Sequence, residues 1–207
     1  QQIEEKLAQG FRCIKLKIGA IDFDKELQLL RFIREHFTPE QVEIRVDANG
    51  AFNENLALDK LIQLSEFKLH SIEQPIQKDH TDSMAELCRI TPFPIALDEE
   101  LIGVFTLAEK EQLLEKIKPQ YIILKPSFIG GFRGTQEWIS LAEKHKIGWW
   151  ITSALESNIG LNAIAQWTFL QHNLMPQGLG TGALYTNNFD CPLEVSQGQL
   201  WYKKELD

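Results

Sequence analysis

Five polar residues recur along the chain at nearly constant spacing. Asp47, Glu73, Asp98, Lys125 and Ser153 each close a short apolar run, at intervals of 26, 25, 27 and 28 residues. Those runs read as strands over 43–49, 69–74, 95–98, 121–125 and 149–153, with a first strand over 11–18 and a last over 177–181. The segments between them carry helix signals. Asp22, Asn53, Thr81 or Asp82, and Thr106 are expected to open helices, with further helices from about Thr135 and Asn158, and a terminal one before Gly10. The tail from Val195 to Tyr202 reads as a strand or hairpin. Strict strand-helix alternation with short connections means parallel βαβ units. So regular a period, near the roughly 30 residues per unit of a β/α barrel, suits that closed architecture better than an open sheet. No linker or low-complexity stretch divides the chain, so one domain over residues 1–207, with about seven strands, is expected.

Alternate residues of a strand point to opposite faces. In 43–49, residues 44, 46 and 48 are apolar, so Arg45, Asp47 and Asn49 are expected to face the barrel interior. Lys15 and Lys17 likewise share one face of the first strand, opposite Ile14, Leu16 and Ile18. Any one of these polar residues alone could be a solvated strand end or a salt-bridge partner. Repetition of the same inside polarity on five strands favours a shared site at the C-terminal mouth of the barrel. Asp47, Glu73 and Asp98 on consecutive strands would repel one another without a cation. Oxygen-only ligands select a hard ion, so Mg2+, or Mn2+ in its place, is expected. The five histidines show no paired metal spacing, which argues against zinc. Crowded lysines beside such an ion have depressed pKa values, and one of them can then act as a base on a weakly acidic proton next to a carboxylate.

Charge narrows the partners. A formal net charge of -8 with scattered lysines and arginines offers no basic field for nucleic acid. No apolar run approaches the length of a membrane span, and Lys125 interrupts the most apolar stretch, so a membrane partner is not expected. The three cysteines, Cys13, Cys88 and Cys191, form no close pair and are expected as thiols in a cytoplasmic protein.

Lys15-x-Lys17, Asp47-Ala-Asn49-Gly, Glu73-Gln-Pro, Leu97-Asp98-Glu99, Lys125-Pro and Ser153-Ala-Leu-Glu-Ser157 resemble, in order and spacing, the barrel of the enolase superfamily, muconate-lactonising subgroup. Gly178-Leu-Gly180-Thr-Gly182 and Leu184-Tyr-Thr-Asn-Asn resemble the branch that dehydrates a hydroxycyclohexadiene carboxylate in menaquinone biosynthesis. The resemblance implies a TIM-like (β/α)7β-type barrel. It also implies Asp47, Glu73 and Asp98 as Mg2+ ligands, Lys17 as acid and base, Lys125 as an electrostatic stabiliser of the developing anion, and Lys15 as the residue that tunes Lys17. Asn49 and Glu99 would support the ligands, and Ser153, Ser157 and Gly180 would meet the far end of a small-molecule carboxylate substrate. Family members carry an N-terminal capping domain and a first barrel strand ahead of the Lys-x-Lys strand. The expectation is therefore a partial barrel without either.

Two other activities fit the same residues. N-acylamino-acid racemases and dipeptide epimerases of the superfamily could use Lys17 and Lys125 on opposite faces of one carbon, although Gly180-Thr-Gly182 departs from the Asp-x-Asp that usually holds a dipeptide amine. A non-catalytic binding barrel would need no cation. A two-carboxylate glycosidase would leave the lysines without a role.

Overall fold

The computed structural model describes residues 2–180 and 185–203. Six strands run parallel and in sequence order: β1 (Cys13–Lys17), β2 (Glu43–Asp47), β3 (Ser71–Glu73), β4 (Ile95–Leu97), β5 (Tyr121–Leu124) and β6 (Gly148–Ile151). They curl into a half-barrel, with a helix after each strand: α2 (Phe23–His36), α3 (Glu54–Ser65), α4 (Thr81–Ile90), α5 (Leu107–Ile117), α6 (Gly131–Lys144) and α7 (Asn158–Phe169). A short α1 (Gln2–Ala8) precedes β1, and β7 (Leu193–Ser196) pairs antiparallel with β8 (Gln199–Tyr202). No helix among the described residues is long and apolar enough to cross a membrane.

The expected starts of the helices hold where a side chain can satisfy free N–H groups. Asp22 accepts from the amides of Asp24 and Lys25, Asn53 from that of Asn55, and Thr106 forms a reciprocal capping box with Glu109. Two starts differ. The residue before α4 is His80, which caps without a side-chain bond, and α6 begins at Gly131 rather than near Thr135. Gly130, at φ 98°, takes the turn ahead of α6, a conformation a glycine adopts without a Cβ clash.

The expected seventh strand is reduced to one parallel bridge. Gly178 pairs with Thr152, and its N–H and carbonyl bond Ile151 and Ser153. Gly178 has no Cβ because one would stand 2.5 Å from the Thr152 methyl. Thr181, the end of that expected strand, lies outside the described residues, as do Gly182 and Leu184 of the quoted motifs.

The core lies between the sheet and its helices. Ile44, Val46, Ile72, Ile95, Leu97, Ile122 and Leu124 point out of the sheet onto Leu30, Ile33, Leu61, Leu64, Met84 and Leu114 of the helices, all buried. Burial of these apolar faces drives the wrap. Arg34 of α2 closes the N-terminal end: its guanidinium donates to the carbonyls of Phe67 and Val42 at 2.8 and 2.9 Å, and to those of Lys68 and Phe37 at 3.2 and 3.5 Å. Those four carbonyls belong to the loops that lead into β2 and β3.

Candidate active site

The parallel register puts the charged residues side by side. Lys15 pairs with Arg45, Lys17 with Asp47, and Asp47 with Glu73. Asp98 and Lys125 each follow the last residue of their strand, β4 and β5, so Lys17, Asp47, Glu73, Asp98 and Lys125 reach the same rim. Asp47, Glu73 and Asp98 are buried, at 1–2% exposure.

Ammonium groups stand among these oxygens. Lys15 Nζ donates to Asp47 Oδ2 at 2.9 Å and to Glu73 Oε2 at 3.0 Å. Lys17 Nζ donates to Asp47 Oδ2 at 3.3 Å and to Asn49 Oδ1 at 2.5 Å. Lys125 bonds Asp98 and lies 4.0 Å from Glu73 Oε1. Asn49, at φ 43°, donates its backbone N–H to Asp47 Oδ1 and its side-chain amide to Glu99 Oε1, both at 3.0 Å. The structure thus brings together Lys15, Lys17, Asp47, Asn49, Glu73, Asp98, Glu99 and Lys125.

Exposure of the lysines is uneven. The Lys17 side chain is 67% exposed and that of Lys15 38%, because β1 is the edge of the sheet among the described residues, whereas Lys125 on the interior β5 is at 18%. The sequence suggested that both lysines of β1 face a buried site; they face it from an open flank.

The titration directions follow from the same contacts. Burial, together with the charges of Asp47 and Asp98, pushes Glu73 up to about 8 against the pull of Lys15. For Asp47 burial acts upward too, but Lys15, Lys17 and the Asn49 N–H outweigh it and hold its carboxyl below the usual range. Lys15 is held up, since Glu73 and Asp47 outweigh the burial that acts to lower it. The direction reflects the surplus of carboxylate around this lysine, whereas the depression expected of crowded lysines was for a site holding a divalent cation.

The donor set fits a hard divalent cation. Every candidate ligand atom is a carboxylate oxygen, and Glu73 Oε1 and Glu99 Oε2 are buried without a hydrogen-bond partner. A Glu73 carboxyl that resists ionisation beside two other acids is short of positive charge, which such an ion supplies. A second acidic cluster, Glu111, Glu115 and His145, gathers its donor atoms on α5 and the end of α6. There Glu111 already pairs with Lys144 and with His145, an ion-pair cluster remote from the rim.

Beneath the rim a cavity of about 820 Å³ is lined by Lys15, Lys17, Lys125, Arg45, Trp150 and Ser153, among others. Arg45 is 5% exposed, bonds Glu43 at 2.8 Å and the Pro176 carbonyl at 3.0 Å, and stacks 4.1 Å from the Trp150 ring centroid. Ser153 Oγ accepts the Gly180 N–H at 2.9 Å. Ser157 precedes α7 without a side-chain capping bond and is not among the residues lining this cavity. The residue that sequence reasoning passed over is Gln74, fully buried and bonded between the strands that carry Glu73 and Asp98. Its one signal was its position inside Glu73-Gln-Pro.

The family model described as "Enolase C-terminal domain-like" matches residues 1–205, and the chain belongs to that family. An o-succinylbenzoate synthase from Desulfotalea psychrophila is 60% identical over 97% of this chain and 54% of its own length. The crystal structure of MenC from the same organism aligns with a TM-score of 0.92 and 59% identity, covering 96% of this chain and 55% of that one. An N-succinylamino acid racemase from Thermus thermophilus is 36% identical over 76% of this chain and 40% of its own length. The chain spans about half the length of the curated relatives it matches.

Proposed function

We propose that residues 1–207 form one partial barrel domain that carries the active site of an o-succinylbenzoate synthase. This is a lyase of menaquinone biosynthesis that removes water from 2-succinyl-6-hydroxy-2,4-cyclohexadiene-1-carboxylate to give 2-succinylbenzoate. The observation that carries the reading is the 60% identity to a relative of that name over nearly the whole chain. The convergence of three lysines on three buried carboxylates supports it.

Asp47, Glu73 and Asp98 would hold Mg2+, or Mn2+, and when bound the ion supplies positive charge for the substrate carboxylate. The remaining steps belong to the side chains. Lys17, as the free amine, takes the proton α to the carboxylate, and the C–H electron pair moves into the carboxylate to give an ene-diolate. The ammonium so formed then gives its proton to the departing hydroxyl as the C–O bond breaks. Water leaves from the face that lost the proton, and the ring becomes aromatic. Lys125, reaching the trio from β5 while Lys17 reaches it from β1, stabilises the developing negative charge. Lys15, between Asp47 and Glu73, sets the field around Lys17. Asn49 links Lys17 to Glu99. Ser153 and Gly180 would meet the succinyl end, with Ser157 nearby in sequence.

Loss of diene absorbance on adding Mg2+ and the full-length parent of this barrel to the substrate tests this, with the Desulfotalea synthase as control. Turnover that requires both Mg2+ and Lys17 is the expected result. No turnover of the diene by a folded, Mg2+-binding full-length parent, while the control turns it over, would remove the synthase assignment.

The flanking of the trio by Lys17 and Lys125 from two sides also suits racemisation of an N-acylamino acid, an activity carried in the name of the Thermus relative. Exchange of the α-proton of an N-succinylamino acid for deuterium, with loss of optical rotation, would report that second reading.

A further inference from the structure

Gln74 stands one residue after Glu73 and is fully buried, with φ at 39° in the left-handed region that side chains other than glycine rarely adopt. Its polar groups run to the ends of three strands. Its carbonyl accepts the Gly50 N–H at 2.7 Å, three residues past Asp47. Its own N–H donates to the Ala96 carbonyl at 2.9 Å, two residues before Asp98. Its side-chain Oε1 accepts the Asp98 N–H at 3.3 Å, and its Nε2 donates to the Ile76 carbonyl at 3.0 Å and to Glu100 Oε1 at 3.4 Å.

The ladder between β3 and β4 ends at the pair Glu73 and Ala96. Beyond it the Gln74 amide supplies one more rung, made by a side chain, at the residue where a ligand carboxylate branches off. Gly50, Glu73 and Asp98 are thereby tied to one residue that itself offers the cation nothing. Mg2+ demands near-octahedral geometry at short oxygen distances, so small displacements of the ligand backbones cost affinity.

We propose that Gln74 is a positioning residue that fixes the mutual spacing of Asp47, Glu73 and Asp98 for the divalent cation, an inference that rests on the metal reading above. Calorimetric titration of Mg2+ into the 207-residue chain, into Gln74→Met and into Met84→Ala tests it, with thermal midpoints recorded for all three. Gln74→Met keeps the volume and removes all three side-chain bonds; Met84→Ala weakens a buried contact of α4 outside the rim. The expected result is that Gln74→Met binds Mg2+ about ten- to a hundredfold more weakly, while Met84→Ala loses stability and keeps the parent dissociation constant. An unchanged constant in folded Gln74→Met overturns the proposal. If Gln74→Met does not fold, Gln74→Asn, which keeps the amide but shortens its reach, takes its place with the same two outcomes. Failure of both variants to fold makes Gln74 a residue of the fold and overturns the proposal as well. A parent chain that binds no Mg2+ removes the metal reading itself, a result distinct from equal binding by parent and variant.

Discussion

Lys17 Nζ sits 2.5 Å from the Asn49 side-chain oxygen, and the amide nitrogen of that same Asn49 is turned to Glu99. Asn49 occupies φ 43°, so an alanine there would add backbone strain to the loss of the amide. Asn49→Gly removes the side chain without that strain. Turnover by Asn49→Gly is expected to fall about ten- to a hundredfold, as for other outer contacts of a metal site. Steady-state rates at the parent level would show that the Lys17 contact does no positioning.

Removing a lysine should separate chemistry from cation binding. Lys17→Ala is expected to lower kcat by about a hundred- to ten-thousandfold, the usual worth of a positioned acid or base. Its Mg2+ affinity should rise, because the Asp47 carboxylate loses a competing ammonium. Rate and dissociation constant measured on the same preparation check both signs, and weaker Mg2+ binding would contradict the electrostatic account.

Lys15 bonds two nearly inaccessible carboxylates, so Lys15→Met should destabilise the fold in the absence of divalent ions by about 2 kcal/mol, after allowance for the partial exposure of Lys15 itself, and lower the thermal midpoint accordingly. Added Mg2+ should restore most of the loss. Scanning calorimetry with and without the ion reads both effects.

Burial holds His70 below its ordinary pKa, with Arg45 adding to the shift and Glu43 opposing it, while Tyr121 and Trp150 pack around the ring. The sign follows from proton counting: between the lowered folded value and the ordinary value near 6.5, the unfolded chain binds more protons, so stability rises with pH there. The contribution is complete above about pH 6.5 and is lost as pH falls through the folded value. The slope of thermal midpoint against pH in that window should flatten in His70→Asn.

Burial pushes the thiols of Cys13 and Cys88 up to about 12. Neither carries appreciable thiolate near pH 8, the form that attacks a disulfide reagent. Both should remain unmodified in the folded chain and react in denaturant, as mass mapping of labelled peptides would show.

The rim was legible because its logic is periodic. Asp47, Glu73, Asp98 and Lys125 stand at nearly equal spacing, and the parallel register then brings Lys15 and Lys17 alongside. The N-caps at Asp22, Asn53 and Thr106 were legible for a local reason, a short acceptor beside free amides. What the pattern did not reveal depends on non-local geometry. The positive φ and cross-strand bonds of Gln74 exist only once β3 and β4 are adjacent, and glutamine does not advertise such a backbone. The run after Gln177 has the composition of a strand, yet among the described residues it makes a single backbone bridge to the sheet, at Gly178, in close approach to Thr152. The reach of Lys17 into solvent was hidden because exposure depends on what flanks β1.

Arg34 and the rim divide the labour of the molecule. The guanidinium fastens the entrances of β2 and β3 at one end of the sheet, while the lysines and carboxylates of the rim stand at the other end. Substitutions among the rim side chains can therefore redirect which bond is made or broken while the anchorage stays as it was. A scaffold arranged in this way can acquire a new substrate by changes at one pole, with the opposite pole keeping the strands aligned.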